Sequence, residues 1–193
     1  IYDSRDNFLN PSQGWRHVLG FEFAGLGGLK FTRSRYQITH YHSLMGKLVG
    51  AANARINFAE GYGGDTLPSF ERYFMGGPTS LRGFTIQDIG PKDIRGNPVG
   101  GNQALILNLE LQYPFTQSMR GFLFYDRGNV YGSGNTLPNT SQSFDLAKMR
   151  HSIGAGFRFI SPFGPMGFAY GIKLDQRNGE EMGQFHFSAG SAF

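Results

Sequence analysis

One arginine stands out among the residues that could do chemistry, because it lies in a glycine-rich part of a long connecting segment. Residues 73–84 read YFMGGPTSLRGF, and Gly76, Gly77 and Gly83 permit tight backbone turns. Such turns could carry the guanidinium of Arg82 into a polar cavity. A guanidinium in that position favours carboxylate partners, preferably in a bidentate arrangement.

Two carboxylates are candidate partners for this arginine, because they fall on the polar faces of the two predicted strands that follow it. Glu110 lies on the first of these strands and Asp126 on the second. With Arg82 they could form a structural and gating lock, which is not a catalytic centre. The alternative is a solvated loop arginine with two ordinary surface acids, and spacing alone favours that alternative.

The other reactive residue types do not form a catalytic or metal-binding set. The chain has no cysteine, which excludes disulfides, thiolate metal sites and cysteine nucleophiles. His40 and His42 share a strand face without a third ligand nearby, so an interfacial position is favoured over a metal site. Residues 24–30 lack the Gly-Lys-Ser/Thr ending of a phosphate-binding loop and indicate a hairpin turn. We therefore expect no enzyme activity, no metal and no cofactor.

The composition is unusual for a soluble globular chain. Among 193 residues, 29 are Gly and 19 are Phe, and only 17% are charged, against about 25% in typical proteins. No apolar run approaches the roughly 18 residues of a membrane-spanning helix. The net charge of +4 is spread along the chain without a run of like charge, which gives no indication of a nucleic-acid partner.

Apolar and polar side chains alternate along most of the chain, as they do in β-strands whose two faces meet different surroundings. The alternation is cleanest at 102–113 and least regular at 119–131, where Phe122 and Phe124 share the face of Asp126. The predicted strands are 15–25, 31–43, 47–59, 102–113, 119–131, 149–160, 166–174 and 182–193, with a shorter strand possible at 1–9.

Strand length and loop pattern favour a membrane barrel over a soluble sheet. Most predicted strands have 10–13 residues, which is long for globular proteins, where about 5–6 is usual, but suits a tilted bilayer crossing. Short turns alternate with longer loops at 61–101, 132–148 and 175–183, as in bacterial outer-membrane barrels. We therefore predict an all-β, antiparallel transmembrane β-barrel of about eight strands. It would form one partial-barrel domain over 1–193, with 61–101 as a long loop on the extracellular side. A soluble sandwich or lipocalin-like barrel is the structural alternative.

Three stretches match the motifs of one known family. Residues 74–84 are similar to its signature loop, whose usual Val-Arg-Gly-Phe core here reads Leu81-Arg82-Gly83-Phe84. Residues 124–131 are similar to its Phe-x-Asp-x-Gly strand motif, and residues 161–165 to its inner turn. In these stretches the chain resembles the outer-membrane protein assembly factor family of Gram-negative bacteria, the BamA family. That family lies within a wider superfamily of insertases and two-partner secretion pores.

The resemblance gives roles to further residues. Glu110 stands where the family carries an acid that faces the loop arginine. The end of the chain, with Phe185, Phe187 and Phe193, is similar to the family's C-terminal barrel-targeting signal. Family members carry periplasmic modules followed by a barrel of about sixteen strands. The chain therefore resembles the C-terminal half of such a barrel.

The function that the resemblance implies is the folding and insertion of unfolded outer-membrane proteins without ATP. Insertion in this family uses a weak seam between the first and last barrel strands, of which only the last, about 182–193, is present. The implied location is the Gram-negative outer membrane. The implied partners are lipid, unfolded barrel proteins, and assembly lipoproteins that dock mainly on the missing modules. We expect the fragment to be insufficient alone. The alternatives are a two-partner secretion pore of the same superfamily and a passive small structural barrel.

The length of the 61–101 loop raises a geometric problem. Eight closed strands enclose an interior only wide enough for side chains. If the fragment closes alone, we predict that Arg82 loses its place in the interior and that the loop moves outside or becomes disordered. The alternative is that two chains join into one larger barrel, and the sequence does not choose between the two.

Overall fold

The computed structural model describes residues 1–25, 28–132, 144–162 and 164–190. These residues form one antiparallel sheet of nine strands, each paired with the next in sequence order. The strands are β1 (Tyr2–Asp3), β2 (Gly14–Ala24), β3 (Phe31–Ser43), β4 (Val49–Gly61), β5 (Gln103–Pro114), β6 (Met119–Tyr131), β7 (Arg150–Ser161), β8 (Gly164–Lys173) and β9 (Gly183–Ala189). Short 3-10 turns lie at Ser69–Glu71 and Leu146–Lys148. Within the described ranges, no helix has the length and apolarity to cross a membrane.

The predicted all-β antiparallel fold is confirmed. The ends of β2 to β8 lie within two residues of the strands that the alternation predicts. Two segments differ: the predicted strand at 1–9 is reduced to Tyr2–Asp3, and β9 ends at Ala189. Residues 4–13 turn back instead, because Asp6 accepts hydrogen bonds from the backbone N–H groups of Ser12 and Gln13.

The two faces of the sheet differ in the side chains that they expose. On one face, here called the outer face, large apolar side chains are open to the surroundings, with Leu19 72% and Leu123 59% exposed. On the other, the inner face, polar side chains such as Asn53 and Asp126 are buried. An apolar exterior combined with a polar interior is typical of outer-membrane barrels.

The sheet is open. Among the described residues, β9 pairs with β8 alone and β1 pairs with β2 alone, so the two edges do not meet. The space limit of a closed eight-stranded barrel therefore does not apply to this arrangement. As a result, the inner face has room for the long loop between β4 and β5.

That loop, residues 62–102, is here called the signature loop. It contributes Met75, Leu81 and Phe84 to a buried apolar cluster, and the sheet contributes Ile106 and Val130. Burial of such side chains stabilises a fold by roughly 1.5–3 kcal/mol each. The loop is therefore anchored on the inner face by its own core.

Candidate functional site

Glycines shape the part of the signature loop that presents Arg82. Gly76, Gly77 and Gly83 have φ angles of 119°, 97° and 88°, in the left-handed region that side chains disfavour. A Cβ atom at Gly76 would lie 2.1 Å from the carbonyl oxygen of Thr85. The loop therefore crosses itself so closely that glycine is required at this point.

Arg82 binds Asp126 in a bidentate arrangement. Its Nε donates to Oδ2 and its Nη2 donates to Oδ1, both at 2.7 Å. The backbone N–H of Arg82 also donates to Oδ2 at 3.0 Å. Three bonds to one carboxylate fix both the side chain and the backbone of the loop, and ionised partners make such bonds stronger than neutral ones.

Glu110 is shared between two arginines. It accepts a hydrogen bond from Nη1 of Arg82. From β7, Arg158 donates to both oxygens of Glu110, with Nη1 to Oε2 at 2.8 Å and Nη2 to Oε1 at 2.6 Å. The four charges of Arg82, Arg158, Glu110 and Asp126 cancel. This balance matters because Arg82, Glu110 and Asp126 are all buried, and buried charges are costly unless they are paired.

A polar network extends the site across the inner face. Asn108 donates to Oδ1 of Asp126 at 2.9 Å and to the carbonyl oxygen of Ser80 at 2.8 Å. Asn53 on β4 donates to Asn108 at 2.9 Å, and Thr39 on β3 donates to Asn53 at 3.1 Å. We call the bonds of Arg82 to Asp126 and Glu110 the clamp. The clamp is therefore continuous with a hydrogen-bond network that extends from β3 to β7.

Two phenylalanines on β6 lie under the arginines. The Cζ atom of Arg82 lies 3.8 Å from the ring centroid of Phe124, and that of Arg158 lies 4.2 Å from the centroid of Phe122. Their rings cover the glycines opposite them on β7, Gly154 and Gly156. A Cβ at either glycine would approach the facing ring to 2.5 or 2.6 Å. Cation–π contacts of this kind contribute about 0.5–2 kcal/mol.

The last strands of the sheet also hold the loop. Ser152 on β7 donates from Oγ to the carbonyl oxygen of Arg82. The backbone N–H of Gly83 donates to Nε2 of His186 on β9 at 2.8 Å. A Cβ on Gly83 would lie 3.0 Å from the carbonyl carbon of Gly171 on β8, so the two backbones touch. Through Arg82 and Gly83 alone, the loop therefore contacts every strand from β5 to β9.

Comparison with known proteins identifies the family. The Omp85 superfamily domain matches residues 1–193, the entire chain. The chain belongs to the Omp85 superfamily. The outer membrane protein assembly factor BamA of Nitratidesulfovibrio vulgaris is 32% identical over 200 residues, which cover 99% of this chain and 24% of that protein. The BamA of Neisseria meningitidis serogroup B is 28% identical over 97% of this chain and 27% of its own length.

A eukaryotic relative and a solved structure extend the comparison. The SAM50-like protein of Schizosaccharomyces pombe is 28% identical over 83% of this chain and 36% of its own length. The crystal structure of BamA from Haemophilus ducreyi lacking POTRA domains 1–3 superposes with a TM-score of 0.84 and 27% identity, over 98% of this chain and 40% of that one.

This Omp85 chain spans about a quarter of the length of its BamA relatives. The matches agree with the C-terminal half of a BamA barrel, as the motifs predict, and the chain is an integral outer-membrane protein.

The predicted site residues of this Omp85 chain fall into two groups. The structure brings Arg82, Glu110 and Asp126 together, and it buries the adjoining Leu81 and Phe84. The predicted terminal signal lies apart from them. Phe185 and Phe187 are exposed on the outer face of β9. Phe193, Phe163 of the predicted inner turn and most of the predicted 132–148 loop lie outside the described residues.

The predicted interfacial histidines lie on the outer face. His40 stacks on Trp15 with ring centroids 3.7 Å apart, and the His40 and His42 rings lie 6.1 Å apart. In the described part of the chain, no group of three or more His, Cys, Asp or Glu side chains could hold a metal ion.

Sequence reasoning missed four residues that hold the signature loop. Arg158, Ser152 and His186 supply hydrogen bonds, and Gly171 leaves the space that Gly83 fills. Each lies on the polar or small-residue face of its predicted strand, so the alternation placed it on the inner face. The alternation does not give the position along each strand at which the loop makes contact. Partners 70 or 103 residues away in the sequence therefore could not be predicted.

Proposed function

We propose that this chain is part of the machinery that folds β-barrel proteins and inserts them into the Gram-negative outer membrane. It would supply the C-terminal half of the barrel. Its bacterial relatives carry the name outer membrane protein assembly factor, and a bovine relative, 28% identical over 69% of this chain, is a homolog of sorting and assembly machinery component 50.

The edge formed by β9 supports a role in templating new strands. Within the described part of the chain, β9 has seven residues, whereas β2 to β8 have between 10 and 13. Among the described residues, the edge of β9 that faces away from β8 has no partner strand. An unpaired edge presents backbone N–H and C=O groups to an incoming strand. A short edge strand also has fewer ladder bonds to lose when a substrate strand displaces it.

The observation that carries the proposal is the double attachment of the signature loop. Arg82 joins it to Asp126 and Glu110 at the middle of the sheet, while Gly83 joins it to His186 on β9. These bonds would therefore hold β9 to the signature loop while the edge of β9 that faces away from β8 stays free. We propose that the loop enters the barrel from the extracellular side.

The proposed partners follow from the same geometry. The exposed apolar outer face would contact lipid, and the β9 edge would contact unfolded outer-membrane proteins. Assembly lipoproteins would dock mainly on periplasmic modules outside this chain. The two unpaired edges would also allow self-association into a larger barrel.

The test measures how fast an unrelated, urea-unfolded barrel protein folds into liposomes. One set of liposomes carries the full-length protein and another carries an inert eight-stranded barrel at equal density. Insertase function predicts faster folding over the inert control. A two-partner secretion pore or a passive structural barrel predicts equal rates, and equal rates would exclude the proposed function.

A further inference from the structure

A cavity lies away from the signature loop, at the end of the sheet where the short turns meet. It has a volume of about 450 Å³ and is lined by the N-terminal segment and by residues of β2, β3 and β5 to β8. Asn10 donates to the carbonyl oxygen of Gln117 at 3.1 Å, which ties the N-terminal segment to the turn between β5 and β6. Cavities of about 300–1,000 Å³ are typical of small-ligand sites.

Arg120 lines this cavity and has no carboxylate partner. Its side chain is buried, and its Nη1 donates to Gln112 and, at 2.9 Å, to the carbonyl oxygen of Pro11. Nη2 donates to the carbonyl oxygen of Asn10 at 3.3 Å. In the ranges that the structure describes, no acid lies within 4.0 Å of this guanidinium, and Nε has no hydrogen-bond partner. A buried charge without a counter-charge is costly.

Three further arginines line the cavity, and their acids are already engaged. Arg5 and Arg16 lie 2.7 and 4.0 Å from Asp3. Arg158 shares Glu110 with the clamp on the signature loop. Asp6, which follows Arg5 in the sequence, accepts hydrogen bonds from the hydroxyl and backbone N–H of Ser12 and from the backbone N–H of Gln13. The cavity therefore keeps an uncompensated positive charge.

Part of the remaining wall of the cavity is apolar. Phe8 and Leu9 contribute from the N-terminal segment, Ile160 from the end of β7 and Pro165 from the start of β8. A guanidinium favours an oxyanion, and an apolar wall favours a hydrocarbon or aromatic body. Arg120, which also lines the cavity, is buried on the inner face, so a ligand would bind on that side of the sheet.

We propose that this pocket binds a carboxylate attached to an apolar side chain, with the carboxylate on Arg120 and the side chain against Phe8 and Leu9. This chemistry belongs to a small aryl or alkyl carboxylic acid and to the C-terminal residue of a polypeptide. The proposal does not depend on the insertase function, because it rests on a cavity that the signature loop does not line.

The probes are N-acetylphenylalanine and its amide, which have the same shape but differ in charge. Binding to the full-length protein in lipid nanodiscs is measured by isothermal titration calorimetry and by saturation-transfer NMR. We expect the carboxylate to bind at least about tenfold more tightly than the amide, because a charge-assisted hydrogen bond contributes more than about 1.4 kcal/mol. Equal affinities would overturn the proposal.

Variants separate the pocket from general effects of charge. Arg120→Gln should lose the preference for the carboxylate, whereas Arg95→Gln, on an exposed part of the signature loop, should keep it. Because Arg120 also holds the turn at Pro11, Phe8→Ala serves as a second variant: Phe8 is 76% exposed, so folding should be unaffected while affinity for the aromatic probe falls. An Arg120→Gln protein that binds like the wild type would mean that Arg120 only anchors the turn.

A third arm identifies the source of the carboxylate. A short peptide ending in phenylalanine carboxylate is compared with the same peptide carrying a C-terminal amide. Carboxylate-dependent binding of the peptide would assign the pocket to polypeptide ends. Carboxylate-dependent binding of N-acetylphenylalanine alone would assign it to free carboxylic acids. Loss of the carboxylate preference with both probes would refute the site.

Discussion

The backbone N–H of Gly83 and the Nε2 atom of His186 are joined by a 2.8 Å hydrogen bond across 103 residues of sequence. Because Nε2 accepts this bond, the neutral imidazole must carry its proton on Nδ1. One residue earlier in the loop, Arg82 binds Asp126 and Glu110. Adjacent residues of the signature loop therefore link the middle of the sheet to its last strand.

Removal of the arginine should weaken the whole barrel. Arg82→Ala leaves Asp126 buried without its arginine partner and leaves Glu110 with Arg158 alone. Loss of one member of a buried ion pair typically costs about 3–5 kcal/mol. We expect a lower midpoint of heat unfolding in detergent. The midpoint of Arg82→Lys should lie between those of Arg82→Ala and the wild type, because an ammonium cannot bind Asp126 in a bidentate manner. Arg95→Ala is the matched control, and an unchanged midpoint for Arg82→Ala would refute the lock.

The histidine on β9 should control the mobility of the signature loop. His186→Ala leaves the N–H of Gly83 without its acceptor, at a cost of about 1–3 kcal/mol. Amide hydrogen exchange of residues 80–86 should become faster, and His186→Gln should partly restore protection because its carbonyl oxygen can accept the bond. His42→Ala, on the outer face, should leave exchange unchanged. Equal protection in His186→Ala would show that Arg82 alone holds the loop.

The glycines opposite the phenylalanines should not tolerate a side chain. In Gly154→Ala the new Cβ would lie 2.1 Å from the carbonyl oxygen of Tyr170 and would displace the ring of Phe124. Overpacking of this kind costs about 1–3 kcal/mol. Gly20→Ala on β2 is the control, because the nearest atom to its Cβ is 3.9 Å away. Equal unfolding midpoints for the two variants would mean that the Phe124 ring can move aside.

The ion pair between Arg150 and Glu180 should make the stability of the fold depend on pH. The hydrogen bonds from Arg150 to Glu180, at 2.9 and 2.7 Å, lower the pKa of Glu180 from 4.5 to about 2. A lowered pKa in the folded state means that the pair stabilises the fold at neutral pH. That contribution is lost as the pH falls from 4.5 towards 2. The difference in unfolding midpoint between wild type and Glu180→Gln should therefore be largest near pH 6 and disappear only below about pH 2. A difference independent of pH would contradict this assignment.

Local regularities in the sequence were sufficient to predict the strands and their faces. Alternation is a property of neighbouring residues, so the ends of β5 and β7 could be predicted to within one residue. The irregularity at Phe122 and Phe124 was a signal of the site, since these rings face inwards to cover Arg82 and Arg158.

Contacts between distant segments could not be predicted in the same way. The placement of Gly83 against His186 and Gly171 depends on the register of several strands and on the docking of the loop. The opening of the sheet depends on whether its two edges meet, which no local pattern specifies.

The most direct test of the account combines the clamp with the proposed function. Folding of an unrelated barrel protein is followed in liposomes that carry wild-type full-length protein, Arg82→Ala or Arg95→Ala, at a temperature where all three are folded. Wild type and Arg95→Ala should accelerate folding over an inert barrel, and Arg82→Ala should lose most of this acceleration. Acceleration by Arg82→Ala equal to that of the wild type would contradict the claim that the clamp supports insertion.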